Sequence, residues 1–295
     1  MKSDNQKAID EIAKTFLGKR LNNYESRYDS SLLVPIERSL NRTDYNIKAD
    51  DFMGFDIWHN YECSFMTNKG YPLTLVGKIK IPADSKYFIE SKSMKLYFFG
   101  FHMEKLGETK EEAIHNYIRI VRRDLSEKAE SNVEFNVFEK TDNIDIFTDY
   151  KHIEELIDIE TIDFKDFKES PELIKTSNDK GTLKVSFPNL RSNCRVTQQP
   201  DFGSLFIGIE GELPSLESLA QYIVSFRNEY HFHEEVTEQI YKSLQDRLKI
   251  DKLSVCNMFT RRGGLDICPC RASSLDLIDQ TVIDINRLQN ATVYQ

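Results

Sequence analysis

The chain has 295 residues, with 39 Lys and Arg against 48 Asp and Glu, so its net charge is 39 − 48 = −9. Hydrophobic residues make up 40% and charged residues 29%, a balance typical of a globular protein long enough for two domains. Tight polyanion binding needs several phosphate contacts, and no apolar run approaches the ~20 residues that cross a bilayer. Direct nucleic-acid binding and membrane insertion are therefore not expected.

The chain has five cysteines, an odd number, and its polar N-terminus lacks the apolar core of a secretory signal. This combination favours reduced thiols over a disulfide framework. We therefore expect a cytoplasmic protein.

In the first half, alternation of apolar and polar residues predicts strands over 63–67, 73–81 and 133–138. The segment 90–101 has helical spacing, although so aromatic a run also fits a strand. Thr109 and Glu112 form a capping box, which predicts a helix that places Ala113, Tyr117 and Val121 on one face.

An acidic stretch over 142–182 predicts a connector with a short helix around 153–159. Beyond it, strands are expected over 183–187, 205–209, 253–259 and 265–267. Two helices are expected between them, one starting at Pro214-Ser215 and one with apolar residues every four positions from Val236 to Leu248. The repeated order predicts an α+β fold of two antiparallel modules, 1–165 and 166–295.

The pair Cys194 and Asp201 combines a nucleophile with a proton donor on either side of the turn-prone Gln199-Pro200. Arg191 and Arg195 flank the thiol, and a nearby guanidinium favours the thiolate. The alternative is a structural thiol beside surface arginines.

His233 and Glu234 sit at the predicted start of a helix, where acidic residues are common capping partners. They also suit recognition of an amino-pyrimidinone edge, since a carboxylate accepts two N–H bonds. A third reading is a metal site built from His231, His233, Cys268 and Cys270.

The segment from Glu90 to Lys95 is either a solvated helix start or, with Arg262 and Gly263, a phosphate site. The chain has no Gly-x-Gly-x-x-Gly and no Walker loop. A nucleotide cofactor is therefore expected to bind outside a Rossmann crevice.

Four motifs occur in order: Glu90-Ser-Lys-Ser-x-Lys-Leu-Tyr97, Ser192-Asn-Cys-x6-Asp-Phe-Gly-Ser204, Phe232-His-Glu-Glu235 and Thr260-Arg-Arg-Gly-Gly-Leu-Asp-Ile267. Together they resemble the long, two-module form of the NADPH-dependent 7-cyano-7-deazaguanine reductase (QueF) family, the nitrile reductases of queuosine biosynthesis. The resemblance implies tandem tunnelling-fold (T-fold) modules, each antiparallel ββααββ, and a homodimer.

The resemblance also implies residue roles. Cys194 matches the nucleophile that forms a covalent thioimide with the nitrile carbon, and Asp201 matches the acid that protonates the nitrile nitrogen. The remaining roles are substrate binding by Ile89, Glu90, Ser91, His233 and Glu234, and NADPH binding by Ser91, Lys92, Arg262 and Gly263. No metal is implied.

The sequence departs from the family pattern at Gln198, Phe202, Cys268 and Cys270, which puts the pocket shape in question. Two other functions stay open. One is a zinc-dependent T-fold pterin hydrolase, and the other is a non-catalytic purine- or pterin-binding protein.

Overall fold

A long antiparallel sheet organises the computed structural model, which describes residues 27–293 and 295 together with residues 4, 5, 7, 8 and 11. The strands in chain order are β1 (Pro35–Glu37), β2 (Met53–Met66), β3 (Pro72–Pro82), β4 (Tyr87–Ile89), β5 (Glu134–Phe138), β6 (Lys151–His152), β7 (Thr176–Cys194), β8 (Pro200–Pro214), β9 (Tyr230–His231), β10 (Ile250–Phe259) and β11 (Leu265–Ala272). The α-helices are α1 (Ser39–Asp44), α2 (Ser91–Phe99), α3 (Lys110–Ala129), α4 (Leu216–Ser225), α5 (His233–Arg247) and α6 (Gln280–Ile283).

Within the described residues the main sheet has nine strands, in the order β5-β3-β2-β11-β10-β8-β7-β6, with β9 also pairing with β7. The short strands β6 and β9 pair with β7 in parallel, and the other pairs are antiparallel. A separate ribbon joins β1 to β4. The two halves of the chain meet where β2 pairs with β11, so one sheet runs through both.

The helices start where the sequence places their caps. Thr109 caps α3 by accepting a hydrogen bond from the Glu112 amide at 3.2 Å, as the capping box predicts. The returning bond differs, because the Glu112 carboxylate accepts from the Glu108 amide instead of that of Thr109. Ser215 caps α4 in the same way. The ambiguous segment 90–101 is helical over Ser91–Phe99.

When the short elements β1, α1, β4, β6 and β9 are left out, the order is strand, strand, helix, helix in both halves. In the second half, β10 and β11 follow the helices, whereas in the first half β5 is the one described strand that follows α3 in the sheet before the connector. The strands β2, β7, β8 and β11 are longer than predicted. Their extra residues are largely polar, or they lie outside the regular alternation of apolar and polar residues on which the prediction depended.

Both faces of the sheet are covered. The helices bury one face in two clusters, one around Tyr97 and Tyr117 and one around Tyr222 and Ile240. The opposite face holds a third cluster, which includes Ile57, Met258 and connector residues Ile146 and Phe147. The connector therefore belongs to the core, contrary to its apolar-poor appearance.

The predicted connector 142–182 is also shorter than expected, because β7 already begins at Thr176. Its expected short helix is a pair of 3₁₀ turns, Ile153–Glu155 and Ile159–Thr161. Among the described residues, no helix combines the length and apolar character needed to span a membrane.

Candidate active site

A cavity of about 510 Å³ lies between the two halves of the chain. It is lined by α2 and the residues before it from the first half, and by the β7–β8 turn, the start of α5 and the β10–β11 loop from the second. All ten residues to which the family resemblance assigns a role line this cavity: Ile89, Glu90, Ser91, Lys92, Cys194, Asp201, His233, Glu234, Arg262 and Gly263. The structure thus brings them together around one space, and their individual roles stay predictions.

The β7–β8 hairpin brings Cys194 and Asp201 to the same end. Cys194 is the last residue of β7, and its amide donates to the Gln199 carbonyl at 2.8 Å to close the turn. Gln198 has a φ of 58°, a left-handed conformation that this tight turn requires. Across the hairpin Asn193 pairs with Pro200 and Ser192 pairs with Asp201. Cys194 therefore lies one position closer to the turn than the first pair, and Asp201 belongs to the second pair.

The Asp201 carboxylate is 4% exposed and has a partner on each oxygen. Oδ1 lies 2.5 Å from Nη1 of Arg262, and Oδ2 lies 3.4 Å from Nε2 of His233. Oδ1 has no hydrogen-bond partner, so the Arg262 contact is an ion pair alone. The His233 ring stacks on Phe259 with centroids 3.9 Å apart, which fixes its orientation.

The two arginines beside Cys194 are engaged elsewhere. Arg191 donates to the Arg227 carbonyl at 2.7 Å and to the Asn193 side chain. Arg195 pairs with Glu235 at 3.0 Å and contacts His231. Both arginines thus interact with groups other than the Cys194 thiol. This weakens the argument from the sequence that they act mainly to favour its thiolate.

Glu234 is the most unusual carboxyl of the cavity. It lies in the first turn of α5, is 3% exposed, and its Oε1 has no hydrogen-bond partner. Burial raises the pKa of Glu234 to about 8, and the Asp56 carboxylate adds to the effect, while Arg38 and Arg271 oppose it. A buried carboxyl with one unpartnered oxygen at a cavity wall is suited to bind a ligand that carries N–H groups.

Glu90 caps α2 and also lines the cavity. Its oxygens accept from the amides of Lys92 at 3.0 Å and Ser93 at 2.7 Å. Burial raises the pKa of Glu90, and these two bonds act against the rise. Each carboxylate oxygen has a second lone pair, so the cap leaves capacity for a ligand.

A buried ionic network lies close to Glu234, and the sequence did not reveal it. Asp56 pairs with Arg38 at 2.5 Å and with Arg271 at 2.8 Å, while Glu238 pairs with Arg42 and Arg271. Burial alone would raise the pKa of Glu238, but Arg271, Arg42 and Arg38 lower it to about 2. The residues of this network are far apart in the sequence. The one signal that the sequence offered was a second glutamate, Glu238, one helical turn after Glu234.

One end of the cavity is basic. Lys92, Lys95 and Arg262 line it together with Gly263, which has a φ of 56°. A Cβ at Gly263 would lie 2.1 Å from Lys95 Nζ, so only glycine allows the lysine this close to the loop backbone. Three cations around an exposed glycine backbone suit the phosphates of a nucleotide cofactor, and these residues fit NADPH.

The donor set of the zinc alternative is not brought together. His231 and His233 line the cavity, whereas Cys268 and Cys270 are buried in the cluster on the opposite sheet face. Cys268 lies near His59 and Asp266 instead, and the His59 Nδ1 and Asp266 Oδ1 atoms are 2.7 Å apart. The departures at Gln198, Phe202, Cys268 and Cys270 all lie outside the residues that line the cavity.

Comparison with known proteins points in one direction. A family model described as "Nitrile reductase, 7-cyano-7-deazaguanine-reductase N-term" matches residues 24–137, and one described as "QueF-like protein" matches residues 200–275. The NADPH-dependent 7-cyano-7-deazaguanine reductase of Acinetobacter baumannii (strain AYE) is 36% identical over 268 residues, which cover 90% of this chain and 95% of the relative. The protein of the same name from Colwellia psychrerythraea (strain 34H) is 34% identical and covers 90% and 94%.

Among solved structures, archaeosine synthase QueF-Like in the apo form matches 33% of this chain and 98% of its own, with 12% identity and a TM-score of 0.30. This likeness is too weak to define the fold.

Proposed function

The chain belongs to the NADPH-dependent 7-cyano-7-deazaguanine reductase family, and on that premise we propose that its cavity reduces the nitrile of 7-cyano-7-deazaguanine to an aminomethyl group. The observation that carries the proposal is the meeting of Cys194 and Asp201 with Glu90 and Glu234 around one cavity. The four residues come from both halves of the chain. The reaction belongs to queuosine biosynthesis and consumes two equivalents of NADPH.

The first chemical step in this proposal is covalent. The Cys194 sulfur adds to the nitrile carbon, one π bond of the nitrile breaks, and the nitrogen takes a proton to give a thioimide. Asp201 is the group that delivers this proton. Because Asp201 forms an ion pair with Arg262 at 2.5 Å, we assign the thiol of Cys194 as the source of the proton. Asp201 accepts it as the C–S bond forms and passes it to nitrogen.

Substrate binding is assigned to both walls of the cavity. Glu234 and Glu90 accept N–H bonds from the deazaguanine base, and His233, Ile89 and Ser91 complete the pocket. The unpartnered Oε1 of Glu234 supports this assignment, because a buried acceptor without a donor is stabilised by a ligand that supplies one.

Cofactor binding is assigned to the basic end, where Ser91, Lys92, Arg262 and Gly263 would hold NADPH. Bound NADPH supplies the hydride for each reduction. The chain's own part is to orient the thioimide carbon toward this end and to exclude water from it. Cys194 leaves when the C–S bond of the reduced adduct breaks, and its thiol is restored.

The family resemblance also carries a fold assignment. We assign the halves 1–165 and 166–295 to tandem T-fold modules, and the shared order of strands and helices supports this division. A homodimer and a cytoplasmic location stay predictions.

Consumption of NADPH tests the proposed function. Wild-type protein is expected to oxidise NADPH only when the nitrile is present, and Cys194→Ala is expected to bind the nitrile without turnover. Binding without NADPH oxidation by the wild type would favour the non-catalytic alternative. Equal rates for wild type and Cys194→Ala would exclude the covalent step.

A further inference from the structure

Arg262 faces two groups of the same strand end. Its Nη1 lies 2.5 Å from Oδ1 of Asp201, and its Nη2 donates to the Pro200 carbonyl at 2.6 Å. The guanidinium therefore bridges the first two residues of β8. Arginine suits this bridge because one guanidinium makes a charge contact through Nη1 and donates a hydrogen bond through Nη2.

The two partners differ in their access to solvent. The Arg262 side chain is 39% exposed, whereas that of Asp201 is 4% exposed. A ligand at the basic end can thus reach the guanidinium without first displacing the acid. Within the described residues, Lys92 and Lys95 form no ion pair with a carboxylate, and Arg262 is the one cation at this end that does.

We propose that Arg262 is shared between Asp201 and an anionic phosphate of the cofactor, so that the charge on Asp201 and cofactor affinity are coupled. The inference rests on the proposed function for the identity of the anion. While the Asp201 carboxylate is present, it already interacts with the Arg262 guanidinium, and a phosphate must compete with it for that cation. With Asp201 neutral, the whole cation is available to the phosphate.

The coupling is reciprocal by thermodynamic necessity. A phosphate that draws Arg262 away removes the cation that is paired with Asp201, so cofactor binding and the charge at position 201 affect each other. Arg262 acts here as a positioning residue for Asp201 as well as a ligand of the cofactor.

Binding of NADP⁺ by isothermal titration calorimetry tests the coupling without turnover. Asp201→Asn is expected to tighten NADP⁺ binding about fivefold, the low end of the usual range for linked sites. Arg262→Gln is expected to weaken it. In the double variant, the gain from Asp201→Asn should disappear, because the shared cation is gone.

A matched control removes a negative charge beside the same loop. A Cβ at Gly264 would lie 2.4 Å from the Glu62 carboxyl carbon, yet Glu62 forms no ion pair with Arg262 in the described structure. Glu62→Gln should therefore leave NADP⁺ affinity nearly unchanged. If Asp201→Asn does not fold, Asp201→Ser removes the same charge and replaces it in the comparison.

Three results would overturn the proposal. NADP⁺ binding could be unchanged or weaker in Asp201→Asn, or the gain could persist in the Arg262→Gln background. A gain of equal size in Glu62→Gln would show a general charge effect. Each of these outcomes leaves the cofactor assignment standing, whereas a wild type that binds no NADP⁺ removes both the coupling and that assignment.

Discussion

Replacing Glu234 by Gln should stabilise the protein at alkaline pH and have little effect in acid. The pKa of Glu234 is about 8 in the fold against the usual value of 4.5, because the carboxyl is buried and lies near Asp56. Between those two values the folded state binds a proton that the unfolded state does not, so stability falls as pH rises through this window. Glutamine keeps the shape and never takes the charge.

The size of the effect follows from the two pKa values. At 1.36 kcal/mol per pKa unit, their difference gives an upper limit of about 5 kcal/mol for the gain in unfolding free energy at pH 9. Relaxation of neighbouring charges reduces this gain. At pH 5 the wild-type carboxyl is protonated in the folded state, and the two proteins should differ by less than about 1 kcal/mol.

Urea unfolding at pH 5 and pH 9 measures this directly. Glu238→Gln is the matched control, since Glu238 lies one turn further along α5 and its pKa is lowered to about 2. Its carboxylate stabilises the fold above pH 4.5, so this variant should lose about 3 kcal/mol at both pH values. A Glu234→Gln effect of equal size at both pH values would refute the reasoning.

Three further predictions concern binding and the core. At pH 7, binding of 7-cyano-7-deazaguanine should release up to one proton, because N–H donors lower the pKa of Glu234. Calorimetry in buffers of different ionisation enthalpy should detect this proton release, and Glu234→Gln should abolish the release. Gly54→Ala should cost at least about 3 kcal/mol in thermal unfolding, since φ is 155° and the new Cβ would lie 1.9 Å from the Cys270 carbonyl oxygen. Lys78→Met should speed backbone hydrogen exchange over 281–289, because the buried ammonium donates to three carbonyls there, and an unchanged rate would contradict this anchor.

The sequence was sufficient for the parts of the fold that depend on local pattern. Thr109 and Ser215 mark helix starts, and the apolar repeats of α3 and α5 are buried as predicted. These signals lie within a few residues of the element they specify, which is why they can be read without a structure.

The parts that were missed depend on contacts between distant residues. The network of Arg38, Asp56, Glu238 and Arg271 joins β2, α5 and β11 to the residue before α1, and no spacing in the chain relates them. The length of β7 was underestimated because residues 176–182 are polar. An exposed strand of this kind is held by its partner β8, which local pattern cannot reveal.

The motifs and the family they resemble named the candidate residues, and the structure places those residues around one cavity. The sequence could not show which of their side chains pair with each other. The engagement of Arg191 by the Arg227 carbonyl and the ion pair between Arg262 and Asp201 follow from the hairpin and loop geometry. These pairings decide where charge lies in the cavity.

Intact-protein mass spectrometry after incubation with 7-cyano-7-deazaguanine, in the absence of NADPH, tests the covalent step most directly. The wild type is expected to gain the mass of one nitrile molecule, peptide mapping should place it on Cys194, and Cys194→Ala should gain nothing. A wild type that binds the nitrile but carries no added mass, or an adduct on another cysteine, would contradict the covalent step.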